Sequence, residues 1–122
     1  FYLTYLLFPL LKTQPEARII NVSSLMHFYA PNQIIEDIEC RNKSFGSNKQ
    51  YAISKFMNVL FTQELFRKIS KYQNIKTCCL HPGIVDSNFG SDVSYIKCFT
   101  KLCCCIYVGN AEGARTSIHL ST

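Results

Sequence analysis

An α/β domain built on parallel strands is what this 122-residue sequence predicts. Three observations predict it. Helix-like apolar segments alternate with short strand-like runs in the order helix, strand, helix, strand, helix. The runs Arg18-Ile19-Ile20-Asn21-Val22 and Ile75-Lys76-Thr77-Cys78-Cys79-Leu80 read as buried strands. Pro82-Gly83 then stops the second run as a turn signal.

The elements follow in chain order. Residues 1 to 12, FYLTYLLFPLLK, read as a helix with Pro9 as a kink. The eleven residues before Lys12 are too few to cross a bilayer, and they lack a basic leader. After the first strand, residues 25 to 46 are mixed, with one helical turn expected around Ile34 to Ile38. Ser47 with Gln50 three positions on is a capping-box pattern. It opens a helix expected to run to about Ser70. From Ala52 to Phe61 this helix is apolar on more than one stripe, so burial on several sides is expected. One side would face the sheet. The other would face a partner helix, with a homodimer through apolar helices as one possibility. Residues 92 to 108 are apolar and compatible with a helix, and Asn110 is expected to cap a last helix, AEGARTSIHLST.

Two parallel strands cannot stand alone, because a parallel sheet buries both faces. The chain opens at Phe1 inside a helical pattern and closes at Thr122 inside another. The expectation is therefore a piece of a longer protein, with residues 1–122 forming a single partial domain.

Composition agrees with a globular chain: 48% of residues are apolar and only 17% charged. The formal net charge of +5 comes from scattered residues rather than a block, which favours a solvated basic surface over nucleic-acid binding. Seven cysteines include the adjacent Cys78-Cys79 and Cys103-Cys104-Cys105, with no C-x-x-C pair and only isolated histidines. That pattern offers no metal site and no disulfide framework. It suits a reducing, intracellular compartment, cytoplasmic or associated with the endoplasmic reticulum. The stretch CFTKLCCCIYV reads as small apolar residues packing near a substrate opening. Its rival is S-acylation at a membrane, helped by Lys97 and Lys101.

The chemistry centres on YAISK. Tyr51 and Lys55 stand at i and i+4, one above the other on a helix face, about 5–6 Å apart at Cβ. An ammonium near a phenol favours the phenolate while burial opposes it, so the pair is suited to exchanging protons near neutral pH. A lone Y-x-x-x-K is common on solvated helix faces. Its flanks make it specific. The strand RIINV ends in Ser23-Ser24, at the carboxyl edge where parallel α/β sheets place ligands. A hydroxyl there can donate to a carbonyl oxygen or a developing alkoxide. The second strand ends in HPGIVDS, turning at the same edge. His81 reads as a structural residue, His27 as an exposed loop residue or a border of the pocket, and His119 carries no signal.

ARIINVSS, YAISKFMNVLFTQEL and IKTCCLHPGIVDS, in this order, resemble the short-chain dehydrogenase/reductase family, and within it the retinol-dehydrogenase-like branch. The closing EGARTSIHL is similar too. The likeness is weakest over residues 28 to 46 and 88 to 108. It implies a Rossmann-type, doubly wound parallel sheet, here incomplete, with the N-terminal dinucleotide-binding strands missing. It implies a nicotinamide-dependent oxidoreductase that interconverts an alcohol and a carbonyl, with retinoid- or lipid-like substrates. By resemblance Ser24, rather than Ser23, would stabilise the substrate oxygen and Tyr51 would exchange the proton. Lys55 would favour the phenolate and hold the nicotinamide ribose. Pro82, Gly83, Val85 and Ser87 would line the nicotinamide, with Ser87 standing where the family often has threonine. The cofactor would be NAD or NADP, since the residue that selects between them belongs to an absent N-terminal unit. The family's catalytic asparagine aligns before Phe1, and no glycine-rich dinucleotide turn is present. The 122 residues alone are thus expected to bind cofactor poorly. The alternative is a truncated, non-enzymatic remnant, or the product of an incomplete gene reading, acting as an interaction module.

Overall fold

The computed structural model describes residues 1–31, 41, 46–85 and 108–122. Two compact units emerge, Phe1–His81 and Pro82–Thr122. The helical turn expected at Ile34 to Ile38 and nearly all of the apolar stretch 92 to 108 lie outside the described residues.

In the first unit, helix α1 spans Tyr2–Thr13, with Pro9 inside it. The last carbonyls of a helix lack intrahelical amide partners. Here the Thr13 hydroxyl serves Leu10, the Gln14 backbone amide serves Leu11, and Asn74 donates through Nδ2 to the carbonyls of Gln14 at 2.8 Å and of Leu11 and Lys12 at 3.4 Å. Strand β1 follows at Ala17–Val22 and strand β2 at Ile75–Leu80. They pair in parallel, from Ala17 opposite Ile75 to Val22 opposite Leu80. Between them run a 3₁₀ helix, Leu25–Tyr29, and helix α2, Ser47–Ile69. The parallel pairing requires such a crossover.

Strand alternation puts Ala17, Ile19 and Asn21 on one face of β1. That face meets α2. Ala17, Ile69 and Ile75 are buried together, with Phe8, Leu11, Leu65 and Tyr72 packed around them. At the other end of the face Asn21 Nδ2 donates to Thr62 Oγ1 at 2.8 Å, and Thr62 Oγ1 donates to the Asn58 carbonyl at 2.7 Å. Thr62 is only 7% exposed, so this polar pair is satisfied inside the interface. Phe8 meets Tyr72 edge to face, and Phe1 meets Phe61 in the same way, so α1 lies beside the second half of α2.

Two expected caps are corrected. Gly46, not Ser47, is the N-cap of α2, with extended backbone and no side-chain cap bond. Its carbonyl accepts from the amides of Lys49 and Gln50, which leaves Ser47 as the first helical residue. Likewise Gly109, not Asn110, caps the last helix, α3, Asn110–Ser121. In both places a glycine supplies the turn into the helix. Burial of α2 is also narrower than its composition suggests. Ala52, Ile53, Thr62 and Ile69 are buried, while Leu60 and Phe66 are exposed.

The second unit holds α3 against a short parallel bridge between Val85 and Val108. Val108 donates its amide to the Ile84 carbonyl at 2.9 Å. Gly113 is buried on α3, and a Cβ there would stand 3.1 Å from Val85 Cγ1 and closer still to Cγ2. The close approach of helix to bridge therefore needs glycine.

Candidate active site

Strand β1 carries Ser23 and Ser24 just past its carboxyl end. The first turns of α2 carry Tyr51 and Lys55. The 3₁₀ helix that Ser24 opens packs against α2, so both sets sit in one unit.

The two serines have different tasks. Ser23 is only 5% exposed, and its Oγ donates to the Lys55 carbonyl at 2.7 Å. Ser24 is half-buried and N-caps the 3₁₀ helix, its Oγ accepting from the Met26 amide at 3.2 Å. A hydroxyl that accepts in this way keeps its own proton for donation.

Tyr51 and Lys55 are both half-buried. Lys55 Nζ stands 5.6 Å from the Tyr51 ring centroid, a cation–π distance. The same Nζ donates to the Val22 carbonyl at 3.1 Å, and Asn58 Nδ2 donates to that carbonyl at 3.1 Å too. Three hydrogen bonds thus tie the last strand residue and Ser23 to the turn of α2 that bears Lys55.

His27 departs from the exposed-loop expectation. His27 lies in the 3₁₀ helix, half-buried, with Nδ1 2.6 Å from the Ser24 carbonyl. A carbonyl only accepts, so Nδ1 carries the hydrogen. Its ring also lies 4.0 Å from that of Phe28. His81 follows β2, and its buried Nδ1 has no partner among the described residues. Burial, and after it the charge of His27, push the His81 pKa down, keeping the ring neutral.

Pro82, Gly83 and Val85 belong to the second unit. Gly83 has φ +88, a conformation glycine adopts without strain. Ser87 lies outside the described residues. No group of three histidine, cysteine or acidic side chains suited to a metal occurs among the described residues. No helix among them is long and apolar enough to cross a membrane. An apolar cleft of about 260 Å³ lies between α1 and the second half of α2, lined in part by Tyr5, Phe8, Phe61 and Leu65. None of Ser24, Tyr51 or Lys55 lines it.

Sequence reasoning missed Asn58 and the part played by Ser23. One signal was available for Asn58: it stands three residues after Lys55, on the same helix face.

A parallel strand–helix–strand unit with hydroxyls at the strand end, and a tyrosine and lysine on the crossover helix, is α/β architecture compatible with part of a Rossmann-type fold. No family model matches the chain, and no solved structure matches it. Curated proteins do. Human retinol dehydrogenase 12 is 34% identical over 119 residues, covering 98% of this chain and 37% of that protein. Human retinol dehydrogenase 14 is 36% identical over 128 residues, covering 100% of this chain and 37% of its own length. Dehydrogenase/reductase SDR family member FEY of Arabidopsis thaliana is 30% identical over 124 residues, 98% of this chain and 32% of that protein. The chain thus spans about a third of the length of the relatives it matches. Over nearly its whole length it is similar to retinol dehydrogenases, the resemblance that its motifs suggest.

Proposed function

We propose that this chain carries the proton-transfer part of a nicotinamide-dependent oxidoreductase that interconverts an alcohol and a carbonyl. The observation that supports the reading is the tie between Lys55 and the end of β1, which brings Lys55 to the strand end that Ser24 follows, with Tyr51 one helical turn earlier. Retinoid- or lipid-like substrates are suggested by the names of the relatives.

In the reduction direction Ser24 Oγ–H donates to the substrate carbonyl oxygen and polarises it. Tyr51 gives that oxygen its phenolic proton, and in oxidation takes it back. The Lys55 ammonium, close to the Tyr51 ring, offsets the negative charge that proton loss leaves there. Lys55 would also donate to the ribose hydroxyls of NAD or NADP. Bound nicotinamide supplies or accepts the hydride. The donor set fits such a group: a half-buried ammonium and phenol on one helix face. Pro82, Gly83, Val85 and Ser87 are proposed to line it.

The 122 residues contain no glycine-rich dinucleotide turn, so alone they are proposed to bind NADH or NADPH weakly or not at all. Retinal reduction by the protein translated from its full transcript, supplied with NADH or NADPH, tests the reading. No turnover with either cofactor would overturn it.

A second copy is the proposed cover for α1. Tyr2, Leu3, Tyr5, Leu6, Leu7 and Leu10 are all exposed, a larger apolar face than single surface residues need. An intracellular, reducing location is proposed with it, from the cysteine pattern of the sequence.

A further inference from the structure

We propose that Asn58 is a positioning residue for Lys55, and that the Val22 carbonyl they share is a resting place from which the ammonium is released. The Val22 carbonyl closes β1, two residues before Ser24, and accepts from Lys55 Nζ and Asn58 Nδ2, each at 3.1 Å. A carbonyl oxygen has two lone pairs and can take both donors. The backbone carbonyl of Asn58 accepts from the buried Thr62 hydroxyl at 2.7 Å, which holds this turn of α2 in place. Ser23 holds the Lys55 backbone through the bond at 2.7 Å. The backbones of Lys55 and Asn58 are therefore both held, and of the two donors the long Lys55 side chain is the more adjustable, the Asn58 side chain being short.

The consequence concerns what Lys55 leaves behind. If it were the sole partner of Val22, its departure to a ligand hydroxyl would strip the carbonyl of its hydrogen bond. With Asn58 in place, the carbonyl keeps a donor whichever way the ammonium points. Val22 is 42% exposed, so water partly substitutes, and the effect is a small factor rather than an all-or-none block. The catalytic meaning of this arrangement rests on the reading of Lys55 as a site residue; the bonding does not.

Competitive labelling of lysine amines with acetic anhydride, read by peptide mass spectrometry on the protein translated from its full transcript, tests it without any activity. In Asn58→Leu, Lys55 is held by Val22 alone and labels about threefold more slowly than in the parent chain, the scale of one modest hydrogen bond. Lys12 and Lys71 serve as internal references and stay unchanged. Asn58→Gln keeps an amide donor and restores the Lys55 rate. Asn58→Ala shows the same slowing as leucine and guards against a packing fault from the leucine side chain. Labelling of Lys55 at the parent rate or faster in both the leucine and alanine variants overturns the proposal. So does a glutamine variant as slow as the leucine one. Slowed labelling together with full activity of a Tyr51→Phe enzyme would keep the positioning role and remove the catalytic reading.

Discussion

Ser23 Oγ donates to the backbone carbonyl of Lys55 at 2.7 Å, across 32 residues of sequence. The bond joins the carboxyl end of β1 to the one turn of α2 that bears the lysine. Since Ser23 is buried, its loss is felt as an unsatisfied interface rather than a surface change. Ser23→Ala should lower the stability of the first unit by about 1–2 kcal/mol. Urea unfolding followed by far-ultraviolet circular dichroism measures this. A midpoint unchanged from the parent chain would show that the bond contributes nothing.

Gly113 and Val85 make the matching prediction for the second unit. A Cβ at position 113 cannot be placed without moving the valine side chain. Gly113→Ala should cost about 1–3 kcal/mol, the usual penalty for overpacking, despite alanine's better helix propensity. Val85→Ala should relieve most of that cost in the double variant. Hydrogen exchange at the Val108 amide, which bonds the Ile84 carbonyl, reports it. Unchanged protection in Gly113→Ala would contradict the packing argument.

His81 sets a pH dependence. In the folded chain its pKa is lowered, by burial first and then by His27, whereas an unfolded histidine titrates near 6.5. Between the two values the unfolded state binds more protons, so stability rises with pH across that window. Stability should be full above about pH 6.5 and fall as the solution is acidified below it. His81→Gln, neutral at every pH, should flatten that slope in urea midpoints measured from pH 7.5 to 5.

Glu16 acts in a lower window. Its carboxyl is held at about 2, mainly by the hydrogen bond from Arg18 and then by that from Lys76. Its contribution is present above the ordinary carboxylate range, near 4.5, and is lost as pH falls toward about 2. The bridge to Lys76, at 3.0 Å, joins the starts of the two strands through solvent-exposed groups, so the effect is modest and screened by salt. Glu16→Gln should remove the part of the acid sensitivity that 0.5 M salt also removes.

The apolar face of α1 predicts self-association. Leu6→Lys together with Leu10→Lys places two charges on a face that is already exposed, so the fold of one copy is spared. Sedimentation velocity should show a dimer for the parent protein and a monomer for the double variant. A parent protein that is monomeric at tens of micromolar would refute the second-copy assignment.

Much of the strand–helix framework was legible in the sequence, for reasons that particular residues show. Strand β2 falls where its run from Ile75 to Leu80 places it, because a turn precedes it and Pro82-Gly83 follows. Strand β1 differs by one residue at its start, Ala17. The helix starts were misplaced because Ser47 and Asn110 look like caps, and only the backbone shows that the glycines before them do that work. The 3₁₀ helix Leu25–Tyr29 went unseen because five residues are too short to show a hydrophobic period. At the site, Tyr51 and Lys55 could be paired from spacing alone. The division of labour between Ser23 and Ser24, and the place of Asn58, depend on the register of α2 against β1. No local pattern encodes that register. Gly113 did leave a trace: a glycine inside a helix costs stability and so asks for a packing reason, here Val85.

The central claim is that Tyr51 exchanges a proton with substrate oxygen. The most direct measurement is NAD(P)H-dependent retinal reduction by the protein translated from its full transcript, beside its Tyr51→Phe variant. Phenylalanine keeps the ring and removes only the phenolic hydroxyl. The account predicts a fall in kcat of at least about a hundredfold, the usual scale for losing a general acid, with KM little changed. A Tyr51→Phe enzyme that retains the parent kcat would contradict it.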